Sequence, residues 1–179
     1  FLNREQTASP PHSGTVPTTG SLAPGFSLPA TTGDTLSLAS FRGQPVVLVF
    51  YPADSSPVCS NQLALYNAAL PLFEEHRARL LALSTDDLDA HRAFAEQLNL
   101  RFPLLADSDP IGAVSKAYGV FDTASQTSQR ALFVLDEEGR IHWSRVVPSH
   151  INPGAEGVLR ALAGLAERRE QPMDNTTQG

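Results

Sequence analysis

The sequence predicts an α/β sandwich, a mixed sheet flanked by helices, on three observations. Val46, Val47, Leu48, Val49, Phe50 and Tyr51 form an unbroken β-branched and aromatic run, the pattern of a strand buried on both faces and central in its sheet. Leu63, Tyr66, Leu70 and Phe73 recur at spacings of three and four, which is one apolar face of a helix. Apolar runs and amphipathic stretches then alternate along most of the 179 residues, a β-α-β-α order.

In chain order, residues 1–22 are rich in Thr, Ser, Pro and Gly and read as a flexible tail. The folded unit is expected over residues 23–168. The helix that begins at Cys59 runs to about Arg79, with Pro71 predicting a kink. Residues 80–84, Leu-Leu-Ala-Leu-Ser, make a second buried strand. Asp86 and Asp87 mark the acidic start of a helix carrying Ala93, Phe94 and Leu98, and with Asp89 they answer its dipole and are assigned no chemistry. A short strand over residues 102–105 and a short helix over 111–118 follow. Residues 131–135 and 141–146 pair as strands across the turn Asp136-Glu137-Glu138-Gly139. The last helix is expected from Pro153, with Asn152 as its cap, to about Arg168, although Gly154 and Gly157 weaken that start. Residues 169–179 are polar and broken by Pro172, a second flexible tail.

Composition narrows the function. With 41% apolar residues the chain can bury a substantial core. Thirteen Lys and Arg stand against 19 Asp and Glu, and no window gathers the basic residues into a stripe that would track phosphates, so nucleic acid is excluded as a partner. The longest apolar run falls far short of the roughly 20 residues a membrane helix needs. Cytoplasmic residence is the expectation, although Phe1 is not an initiator methionine and leaves room for a processed targeting segment. The single cysteine, Cys59, rules out an intramolecular disulfide and a C-x-x-C redox pair. His76, His91, His142 and His150 lack metal-ligand spacing and His12 lies in the tail, so no metal is expected; they read as solvated or packing side chains. Trp143 reads as strand packing, and no cofactor is expected.

The decisive segment is Tyr51-Pro52-Ala53-Asp54-Ser55-Ser56-Pro57-Val58-Cys59-Ser60-Asn61-Gln62, which leaves the central strand, turns and enters the helix. Active sites favour that end of a strand. A thiol is a weak nucleophile until ionised, and a helix start favours the anion by setting unpaired N–H groups and the positive dipole end beside sulfur. Ser56 precedes Cys59 by three residues, so its hydroxyl can fold over the turn to donate to one oxygen of a bound group and accept from another donor. It can also serve as a helix cap. Pro52 and Pro57 remove backbone donors and fix φ, shielding the sulfur from water and stiffening the turn. Gln62 can brace the site from the next helical turn.

Pro52-x-x-x-Ser56-x-x-Cys59 resembles the peroxiredoxin signature, although the family usually has threonine where this chain has Ser56. Ala23-Pro24-Gly25-Phe26-Ser27-Leu28 and Leu38-Ala39-Ser40-Phe41-Arg42-Gly43 resemble the family's opening, and the likeness extends from about Ala23 to Leu165. The resemblance implies a thioredoxin-like fold. It also implies that Arg130, ahead of Phe133, Asp136 and Gly139, is the partner of the sulfur anion, stabilising charge as the S–O bond forms. The implied reaction is attack of Cys59 on the terminal oxygen of a hydroperoxide, giving a sulfenic acid. Some subfamilies carry a resolving cysteine five residues on, where this chain has Ala64, so the chain resembles the one-cysteine type. Its sulfenic acid then needs an external thiol, such as thioredoxin, glutaredoxin or a low-molecular-weight thiol. A homodimer is compatible with the family.

Two other readings compete. A redox-responsive binding module would use oxidation of Cys59 to change a partner contact without turnover. A cysteine hydrolase would want a histidine base beside the sulfur, and none lies within the motif.

Overall fold

The computed structural model describes residues 12–13, 15–54 and 56–170. Its frame is a five-stranded sheet in the order β10-β9-β4-β5-β6, formed by β10 (Ile141–Val147), β9 (Arg130–Leu135), β4 (Val46–Phe50), β5 (Arg79–Ser84) and β6 (Leu104–Ala106). The continuous apolar run of β4 is indeed central: it pairs parallel with β5 and antiparallel with β9, and all five of its residues are buried. A strand with no solvent face has no reason to alternate, which is why its sequence does not. The pairing of β9 with β10 is the expected one, with a register shift between Ile141 and Trp143.

Helices α1 (Pro57–Ala68), α2 (Leu70–Glu75), α3 (Leu88–Leu98) and α5 (Glu156–Glu170) cover one face. Leu63, Tyr66, Leu70 and Phe73 all point into that layer with Val47, Val49, Phe94 and Leu162. The other face packs Leu48, Phe50 and Phe133 against the 3-10 turn Leu38–Phe41, the hairpin of β2 (Ser27–Pro29) and β3 (Thr35–Ser37), and α4 (Ala113–Ala117). Tyr118, just past α4, packs its ring against Phe50 and Phe133 at centroid distances of 5.1 and 5.0 Å. Asp107 caps α4 from a buried position: Oδ1 accepts from the Val114 N–H, and Oδ2 accepts from the Ser115 N–H and hydroxyl.

Three expectations need adjustment. The kink at Pro71 is a full break at Ala69, because Pro71 sits in the first turn of α2, where no N–H is required of it. The last helix starts at Glu156: the Asn152 carboxamide accepts instead from the Gly154 N–H, and Gly154 takes φ +71°, which holds the chain out of the helix for another turn. The stretch before residue 23 is partly tied down, since β1 (His12–Ser13) pairs with β7 (Phe121–Asp122), which also pairs with β8 (Thr127–Ser128). Gly20 N–H donates to Ile141 O and Ile141 N–H to Ser21 O, so backbone pairing rather than side-chain burial orders this polar segment. The rest of the expected tails, residues 1–11, 14 and 171–179, lies outside the described residues. Among the described residues, no helix is long and apolar enough to cross a membrane.

Candidate active site

The chain leaves β4 at Phe50, turns through Tyr51, Pro52, Ala53 and Asp54, and enters α1 with Ser56 as N-cap and Pro57 at the first helical position. The Ser56 hydroxyl accepts from the Cys59 N–H at 3.4 Å, a long cap bond. A hydroxyl that accepts once still has its own hydrogen and a second lone pair, so capping leaves Ser56 able to hold another oxygen. Cys59 lies in the first turn of α1 and is fully buried.

Arg130, the first residue of β9, is also fully buried and reaches the sulfur. Its Nη2 donates to Cys59 Sγ at 3.3 Å and to Ser149 O at 2.6 Å, its Nε donates to Ser149 O at 3.1 Å, and its Nη1 donates to Gln62 Oε1 at 2.7 Å. None of these partners is a carboxylate. Among the described residues no carboxylate pairs with this buried cation, and of its hydrogen-bond partners only the sulfur is a group that can become an anion. Gln62 is fully buried one helical turn past Cys59, and its Nε2 has no hydrogen-bond partner among the described residues. Tyr66, next on that face, donates its hydroxyl to Gly154 O at 2.6 Å, and burial raises its phenol to about 12.

Four of the five sequence-derived candidates therefore form one hydrogen-bonded unit: Ser56, Cys59, Gln62 and Arg130. Pro52 joins that unit only through the chain, as a partly buried turn residue at the strand end. The hydrolase reading loses its support, because the sulfur's hydrogen-bond donor is a guanidinium, which cannot accept a proton, and not an imidazole.

Two contributions escaped the sequence. Ser149 uses only its backbone carbonyl, which no side-chain pattern announces. The second is a buried polar cluster beside the motif. Tyr51 Oη donates to Asp54 Oδ1 at 2.6 Å, Asp54 Oδ2 meets His91 Nδ1 at 2.8 Å, and His91 Nε2 meets Leu105 O at 2.9 Å. The Asp54 N–H donates to Asp86 Oδ2 at 2.9 Å, which also accepts from the Ser84 hydroxyl at 2.6 Å. His91 is thus no solvated side chain but a fully buried, doubly bonded one, and only Asp87 of the acidic trio caps α3. Burial, reinforced by the Asp54 carboxylate, pushes the Tyr51 phenol well up. Ligand atoms of Asp54, Asp86 and His91 lie within 4.8 Å of one another, but both His91 nitrogens and both Asp54 oxygens already have protein partners. The arrangement reads as a hydrogen-bond network.

A five-stranded mixed sheet between helices, with one thiol at a helix start against a buried guanidinium, defines a thioredoxin-fold protein organised around a single cysteine. A model of the AhpC/TSA family matches residues 19–144, and the chain belongs to that family, the peroxiredoxins. It is 37% identical over 125 residues to the chloroplastic peroxiredoxin Q of Triticum aestivum, covering 69% of this chain and 57% of the wheat protein. It is 36% identical over 128 residues to alkyl hydroperoxide reductase E of Mycobacterium bovis, covering 71% of this chain and 84% of that one. The fold is similar to the reduced 2-Cys peroxiredoxin of Plasmodium vivax, with a TM-score of 0.79, 28% identity and coverage of 86% and 85% of the two chains.

Proposed function

We propose that the protein is a thiol-dependent peroxidase of the one-cysteine type. The observation that carries the reading is the contact of a buried Arg130, with no carboxylate among its described partners, with Cys59 Sγ at 3.3 Å. In this reading the Cys59 thiolate attacks the terminal oxygen of a hydroperoxide, the S–O bond forms and the O–O bond breaks. Two electrons pass from sulfur to the peroxide, and the departing alkoxide or hydroxide takes a proton and leaves as alcohol or water. Arg130 stabilises the negative charge as it moves from sulfur to the leaving oxygen, and the Ser56 hydroxyl holds the peroxide in line. Gln62 keeps Arg130 aimed, and Pro52 stiffens the turn.

The resulting sulfenic acid has no partner in a chain with one cysteine. An external thiol condenses with it, releasing water and leaving a mixed disulfide. A second thiol then restores Cys59. Thioredoxin, glutaredoxin and low-molecular-weight thiols all supply this chemistry, which favours a reducing compartment such as the cytoplasm. The homodimer we include in the proposal has a suitable element in β10, an edge strand with Arg145 and Val146 exposed.

Stopped-flow mixing of the reduced protein with hydrogen peroxide or an organic hydroperoxide tests the reading. One thiol should be lost per chain, faster than from free cysteine by orders of magnitude, and a thiol donor should sustain peroxide consumption. A rate equal to that of free cysteine removes the proposal. A second reading, a redox-responsive binding module, draws on the full burial of Cys59, since oxidation there must disturb its surroundings. Fast oxidation without turnover by any of the donors would favour it.

A further inference from the structure

We propose that Asp54 and His91 form a latch on the segment joining β4 to α1, holding Ser56 and Cys59 in place and setting how often the sulfur opens to solvent. Cys59 and Arg130 have no exposed surface, yet an incoming thiol must come within bonding distance of sulfur. The residue has to emerge, and between β4 and α1 the described residues Pro52, Ala53, Asp54 and Ser56 pair with no strand.

That stretch is weakly held at its far end. The Ser56 N–H reaches Ala53 O at 3.4 Å, and the cap bond to Ser56 Oγ is equally long. Asp54 is different: its N–H, Oδ1 and Oδ2 all make bonds of 2.6 to 2.9 Å, and each goes to a different part of the frame. Tyr51 directly follows β4, Asp86 follows β5 and is fixed by Ser84, and His91 rides on α3 with its other nitrogen held by the carbonyl of Leu105 in β6.

Counting protons shows why this bond persists. Leu105 O can only accept, so His91 Nε2 carries a proton, and Tyr51 already donates to Asp54 Oδ1. One proton then lies between Nδ1 and Oδ2. Whether it sits on nitrogen or oxygen, the hydrogen bond is made and the pair is neutral overall, which suits its burial. No atom of the pair is hydrogen-bonded to Cys59 or Arg130, so Asp54 and His91 are positioning residues. They act through the five-residue link from Asp54 to Cys59.

The experiment measures alkylation of reduced Cys59 by iodoacetamide in the folded protein, read by mass spectrometry across low urea concentrations with no peroxide present. Asp54→Ala and His91→Phe should raise the rate at least tenfold, with little dependence on urea, as local opening requires. Asp54→Asn should stay within about threefold of wild type, because its carbonyl still accepts from Tyr51 and its amide donates to Nδ1. Asp107→Ala, which loosens the opposite face, is the control for global destabilisation. Should Asp54→Ala fail to fold, Tyr51→Phe removes one latch bond and should give an intermediate increase. In the peroxide half-reaction, Asp54→Ala should be slower than wild type, while reduction of its sulfenic acid by dithiothreitol should be faster; general damage would lower both. The latch rests on the peroxidase reading only for this split. Alkylation of the latch variants that is unchanged, or raised no more than in Asp107→Ala with the same urea dependence, overturns it. Altered alkylation in a protein inert to peroxide would instead remove the peroxidase reading and leave the latch standing.

Discussion

Arg130 Nη2 and Cys59 Sγ meet at 3.3 Å although 71 positions separate the two residues in the chain. The contact exists because β9 pairs with β4, with Ala131 opposite Phe50, which brings the start of one strand to the end of the other. Removing the guanidinium takes away the donor that, among the described residues, is aimed at the sulfur. Arg130→Met should lower the rate of Cys59 oxidation by about 10²- to 10³-fold, the usual cost of losing a transition-state donor. Arg130→Lys should recover only part of this, since a single ammonium cannot serve Ser149 O, Gln62 Oε1 and Sγ from one plane. Stopped-flow rates for the two variants check the order.

Gln62→Leu deletes the acceptor for Arg130 Nη1 and leaves a buried N–H unpaired, at a cost of about 1–3 kcal/mol. The same change removes an unpartnered Nε2, so urea denaturation should place the net loss at the low end of that range. Oxidation by peroxide should slow about tenfold because Arg130 is less firmly aimed.

The fold was legible where burial alone dictates sequence. The run through β4, the helical spacing of Leu63, Tyr66, Leu70 and Phe73, and the β9–β10 hairpin all follow from which faces are dry. Helix ends were less legible, because Asn152 and Pro153 carry a helix-start pattern that the positive φ of Gly154 defers. Within the site, Ser56 and Cys59 are neighbours in sequence and their capping relation could be read directly. Arg130 rested on family resemblance, since no local pattern marks a partner so distant. The contact of Asp54 with His91 was invisible because it depends on β4 lying beside β5 and on the angle at which α3 crosses them.

All three tyrosines of the chain, Tyr51, Tyr66 and Tyr118, are fully buried, and burial raises each phenol, that of Tyr66 to about 12. An acid whose folded value lies above its unfolded value near 10 stabilises the fold below that pH and loses the contribution as pH rises. Spectrophotometric titration should show little tyrosinate at pH 10 to 11, and stability should decline above pH 10. Ordinary ionisation near pH 10 in the folded protein would contradict the burial described.

Ala64 is exposed on α1, five residues past Cys59. Five residues of helix rise about 7.5 Å, too far for a disulfide without unwinding. Ala64→Cys treated with one equivalent of peroxide should therefore form an intrachain disulfide together with a loss of far-ultraviolet helical signal. Disulfide formation with the helical signal intact would show that α1 does not need to open.

The most direct test of the central claim is mass spectrometry of the wild type and Cys59→Ser after one equivalent of peroxide. The wild type should gain one oxygen atom, localised to Cys59 and removed by added thiol, while Cys59→Ser gains none and leaves the peroxide unconsumed. Equal peroxide loss in both proteins, or an oxygen placed elsewhere than Cys59, would contradict the account.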